Sequence, residues 1–83
     1  MNVKVRYFAS VREAVGQGTE SLATRSETLG ALRDEQIARG EPYATALARG
    51  QAVRMALDQV MSDEQAVLRE GAEVAFFPPV TGG

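Results

Sequence analysis

Apolar and polar residues alternate at the start of the chain, with Val3, Val5 and Tyr7 on one side and Lys4 and Arg6 on the other. A period of two predicts a strand with one buried face. Phe8 falls on the side of Lys4 and Arg6, an odd place for a large apolar ring. Ser10-Val11-Arg12-Glu13 matches a capping box, in which Ser10 and Glu13 would satisfy orphan N–H groups at a helix start. Ala14 and Val15 continue that short helix, and Gly16 stops it. Gln17 and Gly18 turn the chain, and Thr19 to Thr24 is predicted as a second strand, antiparallel to the first.

The period then changes. Leu29, Leu32, Gln36 and Ile37 recur at helical spacing, with Ala31 beside them. Arg33, Asp34, Glu35 and Arg39 are expected on the opposite, solvent face, and Gly40 ends the helix. Either Ser26 or Thr28 can cap it. Pro42 suits the first turn of a shorter helix through Leu47, stopped by Gly50. Gln51 to Leu57 reads as a third strand, with Val53, Met55 and Leu57 on one side and Arg54, Ala56 and Asp58 on the other. The stretch from Val60 to Leu68 is less regular, with room for a short edge strand. Glu70-Gly71 is a turn, and Glu73 to Phe77 is the last strand, with Val74 and Phe76 inward and Glu73, Ala75 and Phe77 outward.

An amphipathic helix over one face of a mixed sheet is an α+β architecture. The ubiquitin-like β-grasp has this element order, and in that fold the first and last strands lie side by side and parallel in mid-sheet. That pairing comes from the fold; periodicity alone does not give it. The expected organisation is one β-grasp domain over residues 1–77 and a flexible, extended tail over 78–83.

Composition narrows the chemistry. Eighty-three residues make one domain with a thin core. The charge of −2, with nine scattered basic residues, argues against nucleic acid as a partner. No apolar run is long enough for a membrane span, and the first residues do not read as a signal peptide, so a cytoplasmic protein is expected. The chain has no cysteine and no histidine, which removes disulfides, Cys/His zinc sites, thiol nucleophiles and imidazole catalysis. The eleven Asp and Glu residues show no calcium-loop spacing, and no metal site is expected. Chemistry in such a chain falls to its termini or to a partner.

Two segments resemble the small subunits of molybdopterin synthase, a family of sulfur carriers. They are Val3-Lys4-Val5-Arg6-Tyr7-Phe8-Ala9-Ser10-Val11-Arg12-Glu13 and Gly71-Ala72-Glu73-Val74-Ala75-Phe76-Phe77-Pro78-Pro79-Val80-Thr81-Gly82-Gly83. A bare Gly-Gly ending is a weak signal, whereas Phe-Phe-Pro-Pro-Val-Thr-Gly-Gly is a specific one. The chain departs from the family pattern at Ala72, where relatives often have an acidic residue, and at Asp58, where they often have Asn. The resemblance implies a cycle in which an E1-like enzyme uses ATP to adenylate the Gly83 carboxylate. Sulfur then replaces an oxygen to give a thiocarboxylate, and the large subunit accepts the tail in its active site. There the sulfur passes to a pyranopterin precursor. It also implies a heterotetramer of two small and two large subunits, with no cofactor bound by the small subunit and no catalysis of its own.

The tail suits that cycle. A free α-carboxyl group has a pKa of about 3.3–3.7, so at neutral pH it is an anion and must be activated before sulfur can attack it. Gly82 and Gly83 lack a Cβ and can enter a narrow channel. Pro78 and Pro79 hold the base of the tail extended and reduce the entropy lost on insertion. Residues 78–83, including Val80 and Thr81, span at most about 20 Å.

Parity suggests the docking surface. Phe8 and Phe77 both face away from the buried set, Arg54 also points outward, and Met61 follows the third strand at a position that is apolar in the family. Exposed aromatic and Met side chains near basic residues mark interaction sites. A bulge in either strand would instead swap the parity and bury the ring. Three rivals share much of this pattern: a carrier for thiazole synthesis or another sulfur pathway, a ubiquitin-like modifier joined to lysines, and a binding module with an inert tail.

Overall fold

The computed structural model describes residues 1–79. The expectations for Val80, Thr81, Gly82 and Gly83, including a flexible Gly-Gly tail, fall outside that range. The elements run β1 (Asn2–Tyr7), α1 (Ala9–Val15), β2 (Thr19–Ala23), α2 (Leu29–Ala38), α3 (Tyr43–Ala46), β3 (Arg54–Leu57), β4 (Val60–Ser62) and β5 (Glu73–Phe77). They form a five-stranded sheet in the order β2-β1-β5-β3-β4. β1 and β5 are parallel at the centre, with Val5 opposite Val74 and Tyr7 opposite Phe76, and the other pairings are antiparallel. This is the α+β, ubiquitin-like β-grasp arrangement that the element order led us to expect.

The alternation in the strands becomes a two-sided sheet. Val3, Val5 and Tyr7 of β1 and Val74 and Phe76 of β5 are buried beneath the helices with Leu29, Leu32 and Leu47. Tyr7 stacks on Phe76 with ring centroids 6.0 Å apart. Removing such rings from water supplies the dominant stabilisation of so small a domain.

α2 begins where Thr28 Oγ1 accepts from the Ala31 N–H at 3.2 Å, so Thr28 is the cap. Ser26 instead donates its hydroxyl to Glu35. The first two N–H groups of the helix are covered by the segment before β5: Leu29 N–H bonds Ala66 O at 3.0 Å, and Gly30 N–H bonds Glu64 O at 2.9 Å. A Cβ on Gly30 would sit 2.9 Å from the Glu64 Cβ, so glycine permits this approach.

Four expectations are corrected. The capping box of Ser10 and Glu13 does not form: β1 runs straight into α1, Phe8 takes the N-cap with no side-chain bond, and Ser10 is already inside the first turn. Arg33 is not on a solvent face. It is 5% exposed, and its Nε and Nη2 donate to Leu47 O and Ala48 O, each at 2.8 Å. Leu47 is the C-cap of α3 and Ala48 follows it, so the arginine bonds carbonyls at the end of a neighbouring helix. α3 closes at Leu47, before Gly50. β3 starts at Arg54, because turn bonds occupy the backbone before it, from Gln51 N–H to Ala48 O and from Val53 N–H to Gln51 O.

The irregular stretch after β3 is a tight hairpin. Asp58 and Gln59 both have positive φ, 49° and 69°, and join β3 to the edge strand β4. This two-residue loop matches the right-handed twist of the strands. Asp58 tolerates the left-handed backbone, and its carboxylate accepts from the Glu73 N–H at 2.9 Å. Both roles would be open to asparagine as well.

Candidate functional site

The sheet face away from the helices carries the predicted docking residues. Strand register places Arg6, Ala75, Ala56 and Met61 in one row across β1, β5, β3 and β4. One pleat further on, Phe77 lies opposite Arg54. Phe8 follows Tyr7 beyond the end of β1, and its N–H bonds Phe76 O at 3.1 Å, which brings it level with Phe77. Neither strand bulges, so the parity reading holds: Phe8 is 41% exposed and Met61 64% exposed, whereas Phe77 is half-buried and Arg54 exposed. Ala75 and Ala56 add little bulk between them, so the larger Phe8, Phe77 and Met61 side chains border a low central floor.

Basic groups border the apolar ones. The Arg6 guanidinium lies 5.4 Å from the centroid of the Phe8 ring and donates to Glu73 Oε1 at 3.1 Å. Both charged groups are partly exposed, so their pairing orients Arg6 more than it stabilises the fold. An open cleft of about 580 Å³ is lined by Arg54 and Met61 together with Arg33, Met55 and the segment from Ser62 to Gln65. Pro78, where the tail leaves β5, lines a smaller hollow of about 170 Å³ with Ser10, Val11 and Ala14 of α1. The base of the tail therefore meets the body beside Phe77. Pro78 and Pro79 are half-buried.

The residue that sequence reasoning missed is Ala9, which adopts φ 50° at the junction of β1 and α1. Left-handed backbone costs a non-glycine residue about 1–2 kcal/mol. The signal available in the sequence was the change from strand to helix period at Phe8-Ala9 with no loop residue between.

Beneath the sheet, the polar side chains are committed to one another. Glu20 accepts from the Tyr7 hydroxyl at 2.8 Å and from Tyr43, Gln17 and Arg39 at 3.1 Å. Gln36, fully buried, donates to the Tyr7 oxygen and accepts from Arg39. Burial, together with the adjacent Glu20, pushes the Tyr7 hydroxyl well above the usual tyrosine range. Burial alone would raise Glu20, but bonds from Arg39, Tyr7 and Tyr43 outweigh it and hold the carboxyl below its ordinary value. The network is closed and solvated only at its rim, so it serves the fold. Among the described residues, no group of three or more acidic side chains is placed to hold a metal ion.

A β-grasp body, an apolar patch on its open face and a tail that starts at the end of the central strand now stand together. Residues 5–83 match the model of the ThiS family. The chain belongs to the ThiS family. A curated relative, the molybdopterin synthase sulfur carrier subunit of Escherichia coli, is 42% identical over 81 residues, covering 98% of this chain and 99% of the relative. The protein of the same name from Haemophilus influenzae is 35% identical over the same share of each chain. A chain of the complex of subunits 1 and 2 of the molybdopterin-converting factor from Helicobacter pylori superposes with a TM-score of 0.70. It is 24% identical, with all of both chains covered, and shows the shared fold. For this ThiS-family chain, the match extends through the Gly-Gly ending.

Proposed function

We propose that this chain is the sulfur carrier subunit of a molybdopterin synthase, with the Gly83 carboxyl group as the site that carries sulfur. The observation that carries the reading is full-length similarity to a named sulfur carrier, including the family match through residue 83, in a chain without cysteine or histidine. The chain has no thiol side chain, and the Gly-Gly ending that the family match includes is where the likeness to sulfur carriers leads us to put the sulfur.

The cycle balances as follows. A Gly83 carboxylate oxygen attacks the α-phosphate of ATP on an E1-like enzyme, giving an acyl adenylate and releasing pyrophosphate. A sulfide-level donor then attacks the acyl carbon, AMP leaves, and a thiocarboxylate remains. In the large subunit the thiocarboxylate sulfur attacks a carbon of the pyranopterin precursor and displaces an oxygen substituent, giving a thioester. Water then attacks the acyl carbon, the acyl C–S bond breaks, the sulfur stays on the precursor and Gly83 regains its carboxylate. The acyl adenylate is prone to hydrolysis, so activation belongs in a partner site that excludes water. The chain supplies the sulfur and the body that presents it; the partners supply ATP binding, the precursor site and catalysis. This division places the cycle in the cytoplasm, where ATP is at hand.

Docking is assigned to the outer sheet face, through Phe8, Arg54, Met61 and Phe77. Aromatic, Met and Arg side chains are enriched at interface cores, and the prolines restrict the backbone at the base of the tail. The Helicobacter pylori complex of subunits 1 and 2 supports a large-subunit partner. We extend this to a heterotetramer of two small and two large subunits.

Intact mass after incubation with ATP, a sulfide source and the cognate E1-like enzyme tests the chemistry. The expected gain is the exchange of one oxygen for sulfur, localised to Gly83 and lost when Gly83 is deleted. An unchanged mass, under conditions that charge the Escherichia coli relative, would overturn it.

A further inference from the structure

Phe8 and Ala9 break two local rules in succession. Phe8 occupies the N-cap of α1, a position where Ser, Thr, Asp or Asn would accept a bond from the first turn, and its side chain makes no such bond. Ala9 follows with φ 50°, in the left-handed region that alanine avoids. Its methyl group is exposed, so packing of its own side chain does not hold it there.

The backbone on either side does. The Phe8 N–H bonds Phe76 O at 3.1 Å, and Phe8 O accepts from Val11 N–H at 3.1 Å and Arg12 N–H at 3.2 Å. Phe8 is therefore a strand residue by its φ of −126° and ψ of 152°, and at the same time the first acceptor of the helix. The left-handed step at Ala9 takes the chain from the sheet to its inner side, where Val11 and Val15 are buried. Phe8 is left outward, level with Phe77, with the Arg6 guanidinium 5.4 Å from its ring. Paired departures of this kind gather where a side chain must be presented for function.

We infer that Ala9 is a positioning residue for docking: its left-handed backbone holds the Phe8 ring on the outer face beside the root of the tail. The inference rests on the docking reading of that face. Ala9 itself need not touch the partner; it acts through Phe8.

The test measures the affinity of the uncharged chain for the separately purified large subunit by titration calorimetry, together with the melting temperature of each variant. Ala9→Gly and Ala9→Asn keep a residue that enters the left-handed region readily, whereas Ala9→Val introduces a β-branched one that does not. Because position 9 is exposed, valine acts through the backbone and not through a clash. The Gly and Asn variants are expected to bind within about two-fold of the wild type, and Ala9→Val about ten-fold more weakly. In a Phe8→Ala background, Ala9→Val is expected to cause no further loss.

A folded Ala9→Val chain that binds normally, or one that loses the same affinity in both backgrounds, would overturn the inference. Ala9→Thr, a milder β-branched change, carries the same comparison if Ala9→Val melts below the assay temperature. A Phe8→Ala chain that binds at wild-type strength would remove the docking reading and the inference with it. That result is separable from one in which Phe8→Ala weakens binding and Ala9→Val acts independently.

Discussion

Tyr7 and Phe8 are neighbours in the chain, and the two faces of the sheet treat them differently. Tyr7 is 1% exposed, stacked on Phe76, and its hydroxyl is bonded to Glu20 and Gln36. Phe8 is 41% exposed, and its ring meets a guanidinium that is itself partly in solvent. The inner face is closed: its rings are covered and its polar groups answer one another. The outer face leaves apolar area open in a molecule short of it. In an 83-residue domain, apolar surface kept out of the core is stability forgone, which argues that it is used elsewhere.

Substitutions on either side should separate stability from binding. The largest effect is expected at Phe76. Phe76→Ala empties the centre of the inner face and should cost about 3–5 kcal/mol by denaturant unfolding, a large share of the stability of so small a domain. Phe8→Ala should do the opposite: its melting temperature should stay close to the wild type, while affinity for the large subunit falls by about thirty-fold in calorimetry. If Phe8→Ala instead melted like Phe76→Ala, the distinction between the faces would collapse.

Glu20 gives a smaller, pH-dependent effect. Its folded pKa lies below the ordinary value, so it contributes stability above its unfolded pKa of about 4.3, and that contribution is lost as pH falls through the folded value. The wild type should therefore lose stability more steeply than Glu20→Gln as pH falls below the ordinary glutamate value of about 4.3, with the two curves converging in acid. Parallel curves would show that Glu20 is not the hub of the inner network. The smallest effect is expected at Arg6 on the outer face. Arg6→Gln breaks a partly exposed pair with Glu73 and should change stability by less than about 0.5 kcal/mol.

The contrast between the faces was largely legible in the sequence, because a period of two has only one physical reading in a sheet with one covered side. Val3, Val5, Tyr7, Val74 and Phe76 followed from it, as did the outward parity of Phe8 and Phe77. The parallel pairing of β1 and β5 did not, since it joins the two ends of the chain and came from knowledge of the fold. Arg33 misled because a charged residue on a helix reads as solvated unless one knows that the carbonyls of α3 end above it. Ser10 and Glu13 misled because a capping motif assumes a loop before the helix, and here a strand runs directly into it. The tail motif was the most specific signal in the chain. Phe8, Arg54, Met61 and Phe77 became a surface only when the register of four strands set them on one face.

The central claim is that the chain carries sulfur and does not turn over. It is tested by mixing purified, thiocarboxylated protein with the large subunit and the pyranopterin precursor, without ATP, and counting the sulfur transferred per chain. The account predicts that transfer stops at one sulfur per charged chain, with the Gly83 carboxylate restored in the mass spectrum and no transfer from uncharged protein. Sulfur incorporation that continued past one per chain without recharging, or that proceeded from a chain lacking Gly83, would contradict it.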